Sequence, residues 1–308
     1  MCFLRRWLLV GGFVGGCFIA TGAQAGSLDF SPALEAGLGY DGNFFLDENA
    51  AARVAAFPLR GAADLALAWV PSLRGRLRAH AGYARQRLYA NPDLGSVGSA
   101  SGGLEGLVRP TFWSFLNLDT WAADHRTWGS TDIAFLDGTN AGAQLQGGYR
   151  FPWATLGAAA SVEAAGYRQQ PVTTGVDRAD GYALAGLFGE WSAAGRWRAD
   201  AALTENRSNF HAAAYRGGDV RLTYAHELWK GAEAAGELGW RYKAYATDAR
   251  VDQRWRGAAS LAQRIGEDVS VRATAAQAFN RSNRAGNQYE WTTFECVLSV
   301  APHWSYLY

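Results

Sequence analysis

From Ser31 to the C-terminus, apolar side chains alternate with charged or small ones, residue by residue. Successive side chains of a strand point to opposite faces, so this pattern describes strands with one apolar and one polar face. Val220, Leu222, Tyr224 and Leu228 share one parity, interrupted by His226, against Asp219, Arg221, Thr223 and Glu227. Leu238, Trp240 and Tyr242 oppose Glu233, Glu237, Arg241 and Lys243. Leu77, Ala79, Ala81 and Tyr83 oppose Arg76, Arg78 and His80, and Leu59, Leu65, Leu67 and Trp69 oppose Arg60 and Asp64. The pattern predicts 14 strands, near residues 31–40, 57–70, 74–85, 102–109, 112–122, 140–151, 153–167, 181–191, 196–205, 217–229, 232–245, 253–265, 268–279 and 289–304.

The connections alternate in length. Short turns are expected at Pro71-Ser72-Leu73, Pro110, Pro152, Ala193-Ala194-Gly195, Lys230-Gly231 and Gly266-Glu267. Long polar loops are expected over Asp41–Ala52, Asn91–Ser101, Asp124–Thr139, Gln169–Asp180, Asn206–Arg216, Ala246–Asp252 and Asn280–Gln288. A soluble sandwich has no reason to gather its long loops at one end. A bacterial outer-membrane barrel does, with short periplasmic turns and longer extracellular loops. An open sheet edge in hydrocarbon would leave amides unpaired, so the sheet closes on itself. The expected fold is all-β, a closed antiparallel transmembrane β-barrel of about 14 strands, immersed in outer-membrane lipid. Twelve or 16 strands are the alternatives, the fourth and fifth being the most weakly patterned. An even count puts both chain ends on the periplasmic side.

Aromatic positions agree. Trp69, Phe112, Phe151, Trp153, Trp191, Trp197 and Trp229 lie beside the short turns, and Tyr40, Tyr83, Tyr182, Tyr242 and Tyr289 nearer the long loops. Two girdles of amphipathic rings mark the two membrane interfaces. The charged parity then faces the lumen, because a lipid-facing charge costs about 2–4 kcal/mol near the bilayer midplane.

Met1–Ala25 reads as a cleaved signal peptide: Arg5 and Arg6, an apolar Trp7–Ile19, then the Ala23-Gln24-Ala25 cleavage site. Lipoprotein processing at Cys17, after Val14-Gly15-Gly16, is the alternative. Residues 26–308 then form a single outer-membrane barrel domain, in which Cys296 is the one cysteine left. It can form no internal disulfide. Beyond the N-terminus no apolar run is long enough for a helical span. A formal net charge of +1 argues against nucleic acid as a partner.

Phe294, Cys296, Leu298, Val300, Trp304, Tyr306 and Tyr308 share one parity. This resembles the C-terminal signal of bacterial outer-membrane proteins, and the resemblance implies recognition of the last strand by the barrel-assembly machinery. Pro302 marks a bulge or the strand end.

Two segments repeat. Arg198-Ala199-Asp200-Ala201-Ala202 leads to Asn206-Arg207-Ser208-Asn209 and Tyr215. Arg272-Ala273-Thr274-Ala275-Ala276 leads to Asn280-Arg281-Ser282-Asn283 and Tyr289, 74 residues on throughout. One reading is a tight polar turn, Asn and Ser bonding nearby backbone and Tyr anchoring at the interface. The other is a ligand-contacting loop. Together with Asp41-Gly42-Asn43-Phe44-Phe45, these hairpins resemble the barrels of surface lipoprotein assembly modifiers and exopolysaccharide exporters. The resemblance implies an export role and a periplasmic export partner. No tetratricopeptide repeat precedes this barrel, so any periplasmic scaffold is expected to be a separate chain.

No catalytic constellation stands out. His80, His125, His211, His226 and His303 are scattered, without metal-ligand spacing, and no cofactor or enzymatic role is expected. The expected lumen lining includes Arg60, Arg76, Arg78, Glu163, Glu233, Glu237, Arg241, Arg254 and Arg256. Arginines of strands 2, 3 and 12, Arg264 among them, would form either a basic strip that selects ions or Arg–carboxylate ladders that stiffen the wall. The functional expectation is a channel or export pore for solutes or a secreted polymer. The alternatives are a non-conducting assembly barrel and, last, an outer-membrane enzyme.

Overall fold

The computed structural model describes residues 26–43, 55–90, 94–129, 136–173, 176–247, 249–284 and 286–307. The signal-peptide segment, Phe44 and Phe45 of the first loop, and the terminal Tyr308 lie outside them. The strands, in chain order, are β1 (Ser27–Asp41), β2 (Phe57–Ser72), β3 (Gly75–Tyr89), β4 (Gly95–Val108), β5 (Ser114–Gly129), β6 (Gly138–Arg150), β7 (Ala154–Thr173), β8 (Val176–Ser192), β9 (Arg196–Ser208), β10 (Tyr215–Trp229), β11 (Ala232–Tyr245), β12 (Val251–Ile265), β13 (Val269–Ser282), β14 (Tyr289–Val300) and a short β15 (Trp304–Leu307). Each pairs antiparallel with its chain neighbour from β1 to β14, and β14 returns to β1 over Leu34↔Val300 to Asp41↔Thr293. The result is a closed 14-strand barrel. β15 continues the last staple after a break at Ala301-Pro302-His303, pairing Ser27–Phe30 of β1. Proline cannot donate to the ladder, so the strand stops there and resumes beyond it.

Large apolar side chains stand on the outside. Leu34, Leu38, Leu187, Leu203 and Leu238 are all more than 60% exposed. In water such a surface would aggregate; in hydrocarbon it is the solvated face. Phe30 stacks on Trp304 and Trp191 on Trp197 at the short-turn end, while Tyr40 meets Phe57 and Phe294 at the other. Cys296 is a free thiol on this outer face. At the β8–β9 turn Gly195 has φ +140, and a Cβ there would strike the Tyr224 ring at 2.4 Å.

Several expectations need correction. Residues 169–173 and 176–180 are strand, not loop: β7 and β8 stay paired out to Thr173↔Val176, with bulges near Pro171. β4 begins at Gly95 and β5 runs to Gly129, so the second and third loops are shorter than expected. Above the membrane, outward positions meet water and need not be apolar, so paired strands there lose the alternation that reveals them. Tyr182, Tyr215 and Tyr289 do not belong to the outer girdle. They share the inward parity of their strands with Phe188, Asp219 and Trp291.

Candidate functional site

The inward parity carries charged side chains whose cross-strand register sets carboxylate against guanidinium. Arg60 Nη2 lies 3.3 Å from Glu35 on β1. Arg76 and Arg78 converge on Glu105 of β4, Arg78 at 3.6 Å and directly opposite in register. Arg241 Nε donates to Asp219 at 2.6 Å, and Arg256 pairs with Glu237. Glu233 pairs with Arg196 at the solvent-exposed short-turn rim. Glu163 accepts from Asn140 Nδ2 at 3.1 Å, and Asn140 Oδ1 lies 3.1 Å from His125 Nε2. Buried Arg254 lies over the rings of Tyr289, at 5.6 Å, and Trp291, at 5.4 Å.

Arg60, Arg76, Arg78 and Arg256 thus each face a carboxylate of a neighbouring strand, and these four do not stand as a bare basic strip. Each guanidinium has a carboxylate against which to offset part of its desolvation, although Nε of Arg76 and of Arg256 is buried without a hydrogen-bond partner.

A second set of pairs was legible but missed. Arg178-Ala179-Asp180, Arg198-Ala199-Asp200 and Arg250-Val251-Asp252 each place a cation and an anion two residues apart, on one face. Arg178 donates to Asp180 through Nε at 3.0 Å and Nη2 at 2.7 Å, both residues buried, with its guanidinium 5.0 Å over Tyr167. Arg198 bridges Asp200 at 2.7 Å and Glu190 at 2.5 Å. Arg250, just before β12, lies 2.9 Å from Asp252 and 3.7 Å over Tyr245. Burial lowers the proton affinity of Arg250, but hydrogen bonds and charge from Asp252 outweigh this, so its pKa is held above the ordinary arginine value. Lys243 lies 4.0 Å over Tyr215. Trp291 Nε1 donates to Asp41 at 2.8 Å, and Asn43 Nδ2 to Glu290 O at 2.7 Å, tying the start of the first loop to β14.

The repeated hairpins form two copies of one turn. Asn206 Nδ2 donates to Ala213 O at 2.8 Å and Asn280 Nδ2 to Asn287 O at 2.6 Å. Asn209 Oδ1 accepts from Ala179 N, and Asn283 Oδ1 from Val251 N, both at 2.8 Å. Their Nδ2 atoms donate to Asp177 O and Ala249 O, both at 2.9 Å. Ser208 and Ser282 accept from the backbone N–H two residues on. Arg207 and Arg281, at outward parity, are exposed. The side chains of this motif are thus spent on backbone, except for the two arginines and the inward tyrosines.

Histidines do not gather. His125 faces inward while its neighbour Asp124 faces out to Arg168 and Arg126, so the wall separates them. His226 is exposed beside Tyr224, and His303 Nδ1 lies 2.8 Å from Ser31 Oγ. Among the described residues no three His, Cys, Asp or Glu side chains are grouped to hold a metal.

The sequence matches no family model and none of the curated proteins compared with it. Solved structures do match in fold. OmpT of Vibrio cholerae, described as an outer membrane protein in trimer form, aligns with a TM-score of 0.54 at 10% identity, over 90% of this chain and 100% of that one. An anion-selective porin from Comamonas acidovorans aligns with a TM-score of 0.50 at 8% identity, over 90% and 100%. The chain therefore has the fold of an outer-membrane β-barrel.

Proposed function

We propose that the barrel is a channel, conducting small hydrophilic solutes or an exported polymer through its lumen. The observation that carries this is where the packed interior lies. The largest fully buried side chains, Leu88, Leu94, Asn43 and Ser96, belong to the long-loop end of the barrel. Deeper positions carry the ion pairs between small residues such as Gly37, Ala62, Gly103 and Ala276, while the inward rings of Trp121, Phe115 and Phe188 lie along the wall against Gly142, Gly148 and Gly157. Such a lining does not fill a 14-strand barrel, and its polar groups suit water and solutes. The likeness in fold to a porin supports the same reading.

The apolar cluster of Ala56, Leu88, Leu94 and Val97 at the long-loop end favours a second reading, a non-conducting barrel serving an envelope export machinery. Planar-bilayer recording on the refolded barrel separates the two. Stepwise, ohmic conductance is expected. A barrel that inserts and carries no current at any voltage belongs to the second reading.

A further inference from the structure

The outer wall across β4–β8 carries small side chains toward its rim. Near its long-loop end the outward positions are Gly102, Ala122, Ala141, Ala164 and Ala179, which leave an apolar trough of about 710 Å3. Tyr83, opposite Ala100 on β4 and 49% exposed, stands on one flank. Arg207, opposite Gly181, stands on the other. Arg126 and Arg168 lie above, joined through Asp124, and Arg168 also meets Asp137 at 2.9 Å. Arg207 and Arg216 share Glu205 at 3.3 and 3.2 Å, and their side chains remain 80% and 81% exposed. Arg85 and Arg87 continue the row beyond Tyr83, Arg85 lying 5.1 Å over Trp128. Among the described residues around the trough, six arginines (Arg85, Arg87, Arg126, Arg168, Arg207 and Arg216) stand with four carboxylates (Asp124, Asp137, Asp177 and Glu205), six minus four leaving an excess of two positive charges.

We propose that this trough is a binding site for a phosphorylated glycolipid of the outer leaflet. Missing side-chain volume in a lipid-facing wall is filled by an acyl chain, and the arginines lie just above it, where a lipid's phosphates sit. Arginine binds phosphate bidentately, and Arg207 and Arg216 have donors to spare beyond their one shared carboxylate. A second copy of the barrel is the less fitting occupant. A two-fold contact sets each patch against itself, so the arginine rims would face like charge. The proposal stands apart from conduction through the lumen, and rests on the long-loop end facing outward.

Native mass spectrometry of the purified barrel in detergent tests it, with diphosphorylated lipid A, the same lipid stripped of its phosphates, and phosphatidylglycerol as probes. Lipid A should be retained preferentially, and removing its phosphates should abolish the preference. The Arg207→Gln/Arg216→Gln double variant should bind it on the order of tenfold more weakly, each arginine near a charged membrane surface contributing severalfold. Ala164→Trp, which fills the trough while leaving the arginines in place, should also weaken retention. Heat-modifiable mobility confirms that each variant is folded. Equal retention with and without phosphates overturns the proposal, as does unchanged binding in both folded variants. An oligomer whose assembly is lost with Ala164→Trp would make the trough a subunit interface, and would equally overturn it.

Discussion

Asn209 and Asn283 carry out the same task on two hairpins. Each side chain accepts from one backbone N–H and donates to one backbone C=O of the neighbouring strand start, pinning hairpin to strand. Asn209→Ala or Asn283→Ala should therefore cost roughly 1–2 kcal/mol, two modest hydrogen bonds each. Arg207→Ala and Arg281→Ala, in the same tetrapeptides, should stay within about 0.5 kcal/mol. Urea titration of the refolded barrel checks this, and equal effects at all four positions would refute the assignment. Polar turn chemistry was readable from the repeat, but its partners were not, since Asp177 lies in β8 and Ala249 just before β12. The ion pairs were half readable in the same way. Parity placed Arg78 and Arg256 on the polar face, and only register revealed Glu105 and Glu237 beside them. Arg78→Glu with Arg256→Glu sets like charges together, and should lower stability by roughly 1 kcal/mol at half-exposed Arg78 and more at Arg256, while the added negative charge shifts the reversal potential of an open lumen toward cations. A large shift toward cations at unchanged stability would restore the filter.

At the level of whole strands, the last one is split by Pro302 into two unequal seams. β14 holds β1 over eight register pairs from Leu34 to Asp41, and β15 holds it over four, from Ser27 to Phe30. Deleting Trp304–Tyr308 should leave the longer seam closed and bare one edge of the start of β1, which β2 still holds on the other. Amide exchange should then rise at Ser27–Phe30, the unfolding temperature should fall, and Leu34–Asp41 should stay protected. Protection lost over all of β1 would show that the short seam holds the barrel shut. The strand order followed from alternation because hydrocarbon enforces it on every spanning segment. That force ends at the headgroups, so the paired extension of β7 and β8 beyond Tyr167 and Arg178 reads as a loop. The inward turn of Tyr182, Tyr215 and Tyr289 was missed for a related reason. Proximity to a long loop fixes a residue's height, whereas parity fixes its face.

For the molecule as a whole, the gathering of loops at one end predicts orientation. Arg178 would be a protease site if 169–180 were a loop, but it is buried against Asp180. Arg284, exposed between β13 and β14, is the better target. Trypsin applied to intact cells should cut at Arg284 and spare Lys230 in the opposite turn, and the reverse pattern would invert the barrel. Closure was legible because it follows from one requirement, a sheet without edges, and the strand count because alternation marks each spanning segment. That requirement also governs how the barrel can come into being. Thirteen of the strand pairings join chain neighbours, but Leu34 must find Val300, 300 minus 34 or 266 residues away. Hairpins can zip as fast as their turns form, whereas this one register is a ring closure over nearly the whole chain, paid for in entropy before it gains a single bond. Until it is made, β1 and β14 are bare edges on an apolar sheet, open to pairing with any strand nearby. The time the chain spends at risk of aggregation is thus set by one encounter between its two ends.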